Sequence, residues 1–275
     1  MRVYISVDME GVAGIVHGDQ TRRGTGEFAS ACELMTKEAN AAALGAFEAG
    51  ATEVLINDSH GDMRNLVLDQ LDPRVQVLTG ALKPYSMAEG LTGRERFDLA
   101  LFVGYHGGAG TSAAILDHTY RGIVVYDVRI DGRTMNEASL NALVAGTAGT
   151  PVALVTGDAS TCAQCRELLG DIETVEVKWA LGRVAARSLH PVRARELIRE
   201  AAKRVVSQPQ RFRPYTLALP MVLELELMNT AITDAVAIIP GLQRTGARSV
   251  RYECADVDTM FRALMTIVRL GGTVA

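Results

Sequence analysis

The sequence predicts an α/β fold: a largely parallel central sheet flanked by helices, with a smaller C-terminal α+β unit. Three observations carry that prediction. Apolar runs of strand length alternate with longer helical patterns, as in βαβ architecture. The strand-length runs at 3–7 and 99–103 are apolar almost throughout, which suits strands covered on both faces. Several runs also end in polar, glycine-containing turns, where an open α/β sheet builds its ligand crevice.

The elements follow in order. A strand at 3–7 precedes a helix at 27–49, stopped by Gly50, and a second strand at 52–56 ends at Asn57-Asp58-Ser59-His60-Gly61. A short helix near 66–71 and strands at 75–78 and 99–103 come next, the last running into Gly104-Tyr105-His106. Residues 122–130, with Asp131-Gly132 as the turn signal, read as one arm of a hairpin whose other arm is short. A helix at 136–148, a buried strand at 152–156 and a helix at 162–169 follow. Residues 188–207 are rich in Arg and Glu, with apolar residues at helical spacing, and predict an exposed amphipathic helix. Beyond Pro209 and Pro214, strands at 221–227 and 248–253 alternate with helices near 230–239 and 256–270. The reading divides the chain into a metal-binding α/β catalytic domain, 1–190, and a smaller α+β domain, 191–275.

Composition narrows the function. With 275 residues, 48% of them hydrophobic, the chain can bury a core as one domain or two unequal ones. A formal net charge of −4 gives no electrostatic footprint for nucleic acid or an acidic membrane surface, so small molecules are the expected partners. No apolar run approaches the roughly 20 residues of a membrane helix, and the start of the chain enters a strand without a signal-peptide pattern, which places the protein in the cytoplasm by expectation. The four cysteines, at 32, 162, 165 and 254, do not make a disulfide framework. Cys162 and Cys165 form a Cys-x-x-Cys, but no second pair accompanies it, and its surroundings read as a Ser- or Thr-capped helix start.

The chemistry gathers at strand ends. In extended chain, residues i and i+2 share a face, so Asp8 and Glu10 are expected to point together beside Gly11 and Gly14. Two carboxylates so placed repel unless a cation or proton separates them. His60 follows the second strand, His106 the fourth, and Glu137 opens the helix after the hairpin. Carboxylate plus imidazole is a ligand set for zinc and related divalent ions, and the supply suffices for two if one carboxylate bridges. Each residue also has a plainer reading. His60 sits in a turn rich in capping residues, and Glu137 suits any helix N-terminus. His17 and His190 read as surface residues, and Arg22-Arg23 as a loop. The glycines after His106 lack the Gly-Lys-Ser/Thr of a phosphate loop.

In order along the chain stand Ser6-Val7-Asp8-Met9-Glu10-Gly11, Asn57-Asp58-Ser59-His60-Gly61, Gly104-Tyr105-His106, Asp117-His118-Thr119 and Asn136-Glu137-Ala138-Ser139-Leu140-Asn141-Ala142. With Lys83-Pro84-Tyr85-Ser86-Met87, Gly157-Asp158 and Pro240-Gly241, this series resembles the M55 D-aminopeptidases of the DppA type over nearly the full chain. The resemblance implies a binuclear zinc peptidase with two Zn²⁺ per subunit. Asp8 would bridge them, Glu10 and His106 would complete one site, and His60 and Glu137 the other. His118 would be the catalytic histidine. It also implies release of N-terminal D-amino acids from short peptides such as D-Ala-D-Ala by a metal-bridging hydroxide, and a homodecamer of two stacked pentamers. Gly107 departs from the pattern, since relatives often carry alanine there. Asp58 is expected to orient a ligand imidazole. Rival readings are a binuclear hydrolase of another amide, an L-peptide or a phosphoester, and a dipeptide-binding protein.

Overall fold

The computed structural model describes residues 1–93 and 95–275. Its strands are β1 (Arg2–Val7), β2 (Glu53–Asp58), β3 (Gln76–Leu78), β4 (Leu99–Tyr105), β5 (Val125–Ile130), β6 (Arg133–Thr134), β7 (Val152–Asp158), β8 (Glu173–Gly182), β9 (Ala185–Ser188), β10 (Met221–Leu227), β11 (Gln243–Arg244) and β12 (Ser249–Cys254). The helices are α1 (Gly18–Thr21), α2 (Phe28–Glu48), α3 (Glu137–Thr147), α4 (Ala159–Leu169), α5 (Pro191–Ser207), α6 (Thr230–Val236) and α7 (Val257–Gly271).

The first sheet has the order β3-β2-β1-β4-β7-β8-β9 and is parallel except for β9, which returns antiparallel along β8. The chain adds strands on one side of β1 and then restarts on the other with β4, so the topological switch lies between β1 and β4. Alternation in β1 sends Val3, Ile5 and Val7 into the core beneath α2 and α5, while Tyr4 joins the core on the opposite face with Phe102 and α3. Helix α5 buries Ala194, Ile198, Ala201, Ala202, Val205 and Val206 along one stripe and leaves its Arg and Glu residues outside. No helix among the described residues is long and apolar enough to cross a membrane.

The second sheet, β11-β12-β10-β5-β6, is antiparallel and takes strands from both sides of residue 190. Helix α7 packs between this sheet and α3. Packing thus follows the sheets and not a single cut at 190: α5 sits on the first sheet, and the β5–β6 hairpin completes the second. The alternating burial of Met221, Leu223, Leu225 and Leu227 puts one face of β10 into the core, and its two edges pair with β12 and β5.

Other differences from the expected elements are local. Residues 66–71 hold only a 3₁₀ turn at Leu68–Gln70. The helix expected at 162 begins at Ala159, capped by Asp158, whose carboxylate accepts from Thr161 N–H. The strand expected from 122 begins at Val125 after a turn. Strands β8 and β9 have no counterpart in the sequence reading. Cys162 and Cys165 are buried on α4, where burial pushes the Cys165 thiol up to about 12.

Candidate metal centre

Three adjacent strands, β2, β1 and β4, deliver their C-terminal ends to one place. Asp8 and Glu10 follow β1, His60 lies just beyond β2, and His106 follows β4 directly. Glu137 comes from the first turn of α3, where Asn136 caps the helix in a reciprocal pair with Ser139. All five are buried.

The predicted convergence of Asp8 and Glu10 is present: Asp8 Oδ1 and Glu10 Oε2 lie 3.2 and 2.9 Å from His60 Nδ1. It arises differently from the expectation, because β1 ends at Val7 and a turn, not strand alternation, brings Glu10 round. That turn presses against β4. Gly11 N–H donates to Gly104 C=O at 2.8 Å, and a Cβ on Gly11 would collide with the Tyr105 carbonyl. On the other side, Asp8 Oδ2 is 3.3 Å from His106 Nε2, and Glu137 Oε2 is 3.4 Å from the same nitrogen.

Each imidazole is oriented by the backbone. His60 Nε2–H donates to Thr21 C=O at 2.8 Å, His106 Nδ1–H to Gly107 C=O at 2.9 Å, and His118 Nδ1–H to Leu116 C=O at 2.8 Å. A carbonyl can only accept, so in every case the other ring nitrogen is turned toward the carboxylates, the arrangement that fixes the tautomer of a metal-ligating histidine. His118 stacks on His106 with centroids 4.1 Å apart, and its Nε2 is 3.8 Å from Glu137 Oε1. The Tyr120 N–H anchors the same Glu137 oxygen at 2.6 Å.

Asp8 Oδ2, Glu10 Oε2 and His106 Nε2 are buried within ion-pair range of neighbours, yet none makes an aligned hydrogen bond among the described residues. Buried polar atoms are rarely left so, and a cation is the partner this donor set fits. The ligand atoms of Asp8, Glu10 and His106 lie within 4.8 Å of one another. Asp8, His60 and Glu137 line a common cavity of about 140 Å³.

The electrostatics agree. Burial, with Glu10 beside it, pushes the Asp8 carboxyl up to about 7 against the pull of His60. Burial opposes charge on the other groups too, but His60 holds Glu10 below the usual carboxylate range, and Glu137 raises His106 to about 10. Protons on His60 and His106 thus balance the carboxylates, and a divalent cation displaces such protons when it binds. His118 moves the other way: burial and the neighbouring His106 lower its pKa, so its Nε2 carries a lone pair at neutral pH.

His118 also borders a second, larger cavity of about 630 Å³, lined further by Glu10, Arg121, Ile123, Tyr126 and Met228. Sequence reasoning named none of the last four, because exposed residues on a turn and a sheet edge carry no pattern that marks a cavity. Asp58 corrects an expectation. Its carboxylate accepts from Asn65 N–H, Leu66 N–H and the Asn65 amide, which in turn donates to His60 C=O, so it shapes the His60 loop and touches no imidazole. Gly107 packs against the 111–114 turn, where a Cβ would meet Ala114 Cβ at 2.7 Å.

Three buried carboxylates with two buried imidazoles and the half-buried His118, all three rings oriented by backbone carbonyls at the switch point of a parallel sheet, make a metallohydrolase-type centre. Residues 1–266 match the M55 peptidase family, described as D-aminopeptidase, and the chain belongs to that family. It is 33% identical to the D-aminopeptidase of Bacillus subtilis (strain 168) over 274 residues, 98% of this chain and 97% of that protein. Among solved structures it resembles the Zn-dependent D-aminopeptidase DppA from Bacillus subtilis, a self-compartmentalizing protease. The TM-score is 0.94 at 33% identity, over 99% of this chain and 98% of that one.

Proposed function

We propose that the protein is a zinc-dependent aminopeptidase that releases N-terminal D-amino acids from short peptides. The observation that carries the reading is the set of buried, unpartnered ligand atoms on Asp8, Glu10 and His106, in a chain that belongs to the D-aminopeptidase family. On this reading two zinc ions per subunit would be held by the buried carboxylates and imidazoles. Asp8, facing both His60 and His106, would be shared, and in the division the family resemblance implies Glu10 and His106 would complete one set and His60 and Glu137 the other. Zinc in such a site polarises a carbonyl and makes water acidic near neutral pH.

The chain's own groups do the rest. With Nδ1–H committed to Leu116 C=O, His118 Nε2 is the free basic nitrogen at the junction of the two cavities. It takes a proton from the attacking water and passes it to the leaving amine, the role of a general base turned acid. The larger cavity, edged by Ile123, Tyr126 and Met228, receives the peptide beyond the scissile bond. Self-association as a homodecamer of two stacked pentamers, carried by the family resemblance, and a cytoplasmic location complete the reading.

The test is turnover by zinc-loaded protein of D-Ala-D-Ala, L-Ala-L-Ala and a phosphodiester. Cleavage of the D-dipeptide alone is expected. Preferential cleavage of either rival substrate would replace this reading by that of a different binuclear hydrolase, and binding of the dipeptide without turnover would make the protein a binder.

A further inference from the structure

Lys178 is buried completely in the interior of the first sheet, and the reaction described above gives it no role. Its place is set by a bulge. The register of β7 with β8 pairs Gly157 with Glu176 and then Asp158 with Lys178, so one residue of β8 is skipped. Val177 and Lys178 are consequently both buried, where strict alternation would send them to opposite faces. Bulges of this kind re-aim side chains beside active sites.

The re-aimed ammonium meets three backbone carbonyls of one loop: those of Glu10, Val12 and Ile15, the last two at 2.9 and 2.6 Å. Three donors and three acceptors satisfy the group fully. From the other side of the same loop, the buried Glu38 of α2 accepts from Ala13 N–H at 2.9 Å, and Ser188 of β9 accepts from Gly14 N–H at 3.3 Å. Two buried side chains, an ammonium donor and a carboxyl acceptor, therefore hold successive backbone groups of the turn that starts at Glu10. Neither Lys178 nor Glu38 lines a substrate cavity.

We propose that Lys178 and Glu38 are positioning residues that clamp the 10–15 loop and so set the Glu10 carboxylate for one of the two metals. The inference rests on the zinc reading given above and deepens it. The loop after β1 has no helix or strand from Asp8 to Ile15, and Gly14 sits at φ +88°; its local order is two turn hydrogen bonds, Val12 N–H to Met9 C=O and Ile15 N–H to Val12 C=O, and Lys178 and Glu38 tie those turns to β8 and α2. Without the ammonium, the Glu10 and Ile15 carbonyls lose this donor and Val12 C=O keeps only Ile15 N–H, so the loop must rearrange to find others. Asp8, held between His60 and His106, keeps its place.

The experiment is calorimetric titration of metal-free full-length protein with Zn²⁺ in competition with a chelator, for wild type, Lys178→Met and Glu38→Ala. Two binding steps are expected in wild type. Each variant should weaken one step by about 10- to 100-fold, the range seen when groups supporting a ligand are removed, and leave the other within a few fold. A merely structural lysine would lower the melting temperature of the metal-free protein and leave both steps unchanged, and that result overturns the clamp while sparing the zinc reading. Should Lys178→Met fail to fold, Glu38→Ala decides by the same criterion, because it loosens the loop from the opposite side. Wild-type protein that takes up no zinc would overturn the metal reading and the clamp together.

Discussion

The two sheets contribute to one site in opposite ways. The parallel sheet supplies Asp8, Glu10, His60 and His106 from the ends of three neighbouring strands, all four buried and the two imidazoles oriented by backbone carbonyls. The antiparallel sheet and its flanking turns supply no ligand; they border the larger cavity with Ile123, Tyr126 and Met228, which are 55, 49 and 40% exposed. Charge needs a rigid, dry frame, since buried carboxylates and imidazoles are tolerated only where every partner is held in place. Contacts to a variable peptide need surface that can be exchanged without upsetting that frame.

Substitutions that cross this division should rank accordingly. Asp8→Asn removes the carboxylate that faces both imidazoles, so peptide cleavage should fall to background and bound zinc should drop; steady-state assay with metal analysis checks both. His118→Ala should lower kcat by roughly 10²- to 10⁴-fold, as loss of a general base does, with zinc content unchanged. Full turnover in that variant would remove His118 from the mechanism. Ile123→Ala, on the antiparallel side, should raise KM roughly three- to tenfold with kcat near wild type, the signature of lost apolar contact common to ground and transition states. A kcat defect as large as that of His118→Ala would erase the contrast between the two sheets.

The smallest effect concerns stability. Burial pushes Glu38 up to about 7 from an ordinary 4.5, so the folded state keeps a proton that the unfolded chain releases. The sign follows: below pH 4.5 Glu38 imposes no charge-burial cost, stability declines as pH rises from 4.5 to 7, and the decline levels off above 7. Its full size is on the order of 3 kcal/mol. Glu38→Gln keeps an acceptor for Ala13 N–H and removes the titration, so chemical denaturation of metal-free protein should lose that part of the pH slope. An identical slope in wild type and variant would show that Glu38 ionises freely in the folded protein.

How much of this was legible in the sequence depended on whether the signal was local. Apolar strands that end in Asp8, His60 and His106 announce both the sheet and the crevice, because periodicity and turn chemistry are local. The ordered motifs placed Glu137 and His118, which periodicity alone left as a helix-start acid and an unassigned histidine. The mixed origin of the second sheet was not legible, since pairing of β5 with β10 joins segments far apart in sequence. Strands β8 and β9 were hidden by Glu173, Glu176 and Lys178, which look like surface charges until a bulge turns Lys178 inward. Glu38 was hidden likewise, a charge on a long helix whose buried face is built mainly of small residues.

The most direct measurement is D-Ala-D-Ala cleavage followed while zinc is returned stepwise to chelated protein, with bound metal counted at each step. Activity that vanishes on chelation and recovers fully only at two zinc ions per chain is the predicted result. Cleavage that survives complete removal of metal, or that is complete with a single ion, would contradict a centre in which Asp8 is shared between two metals.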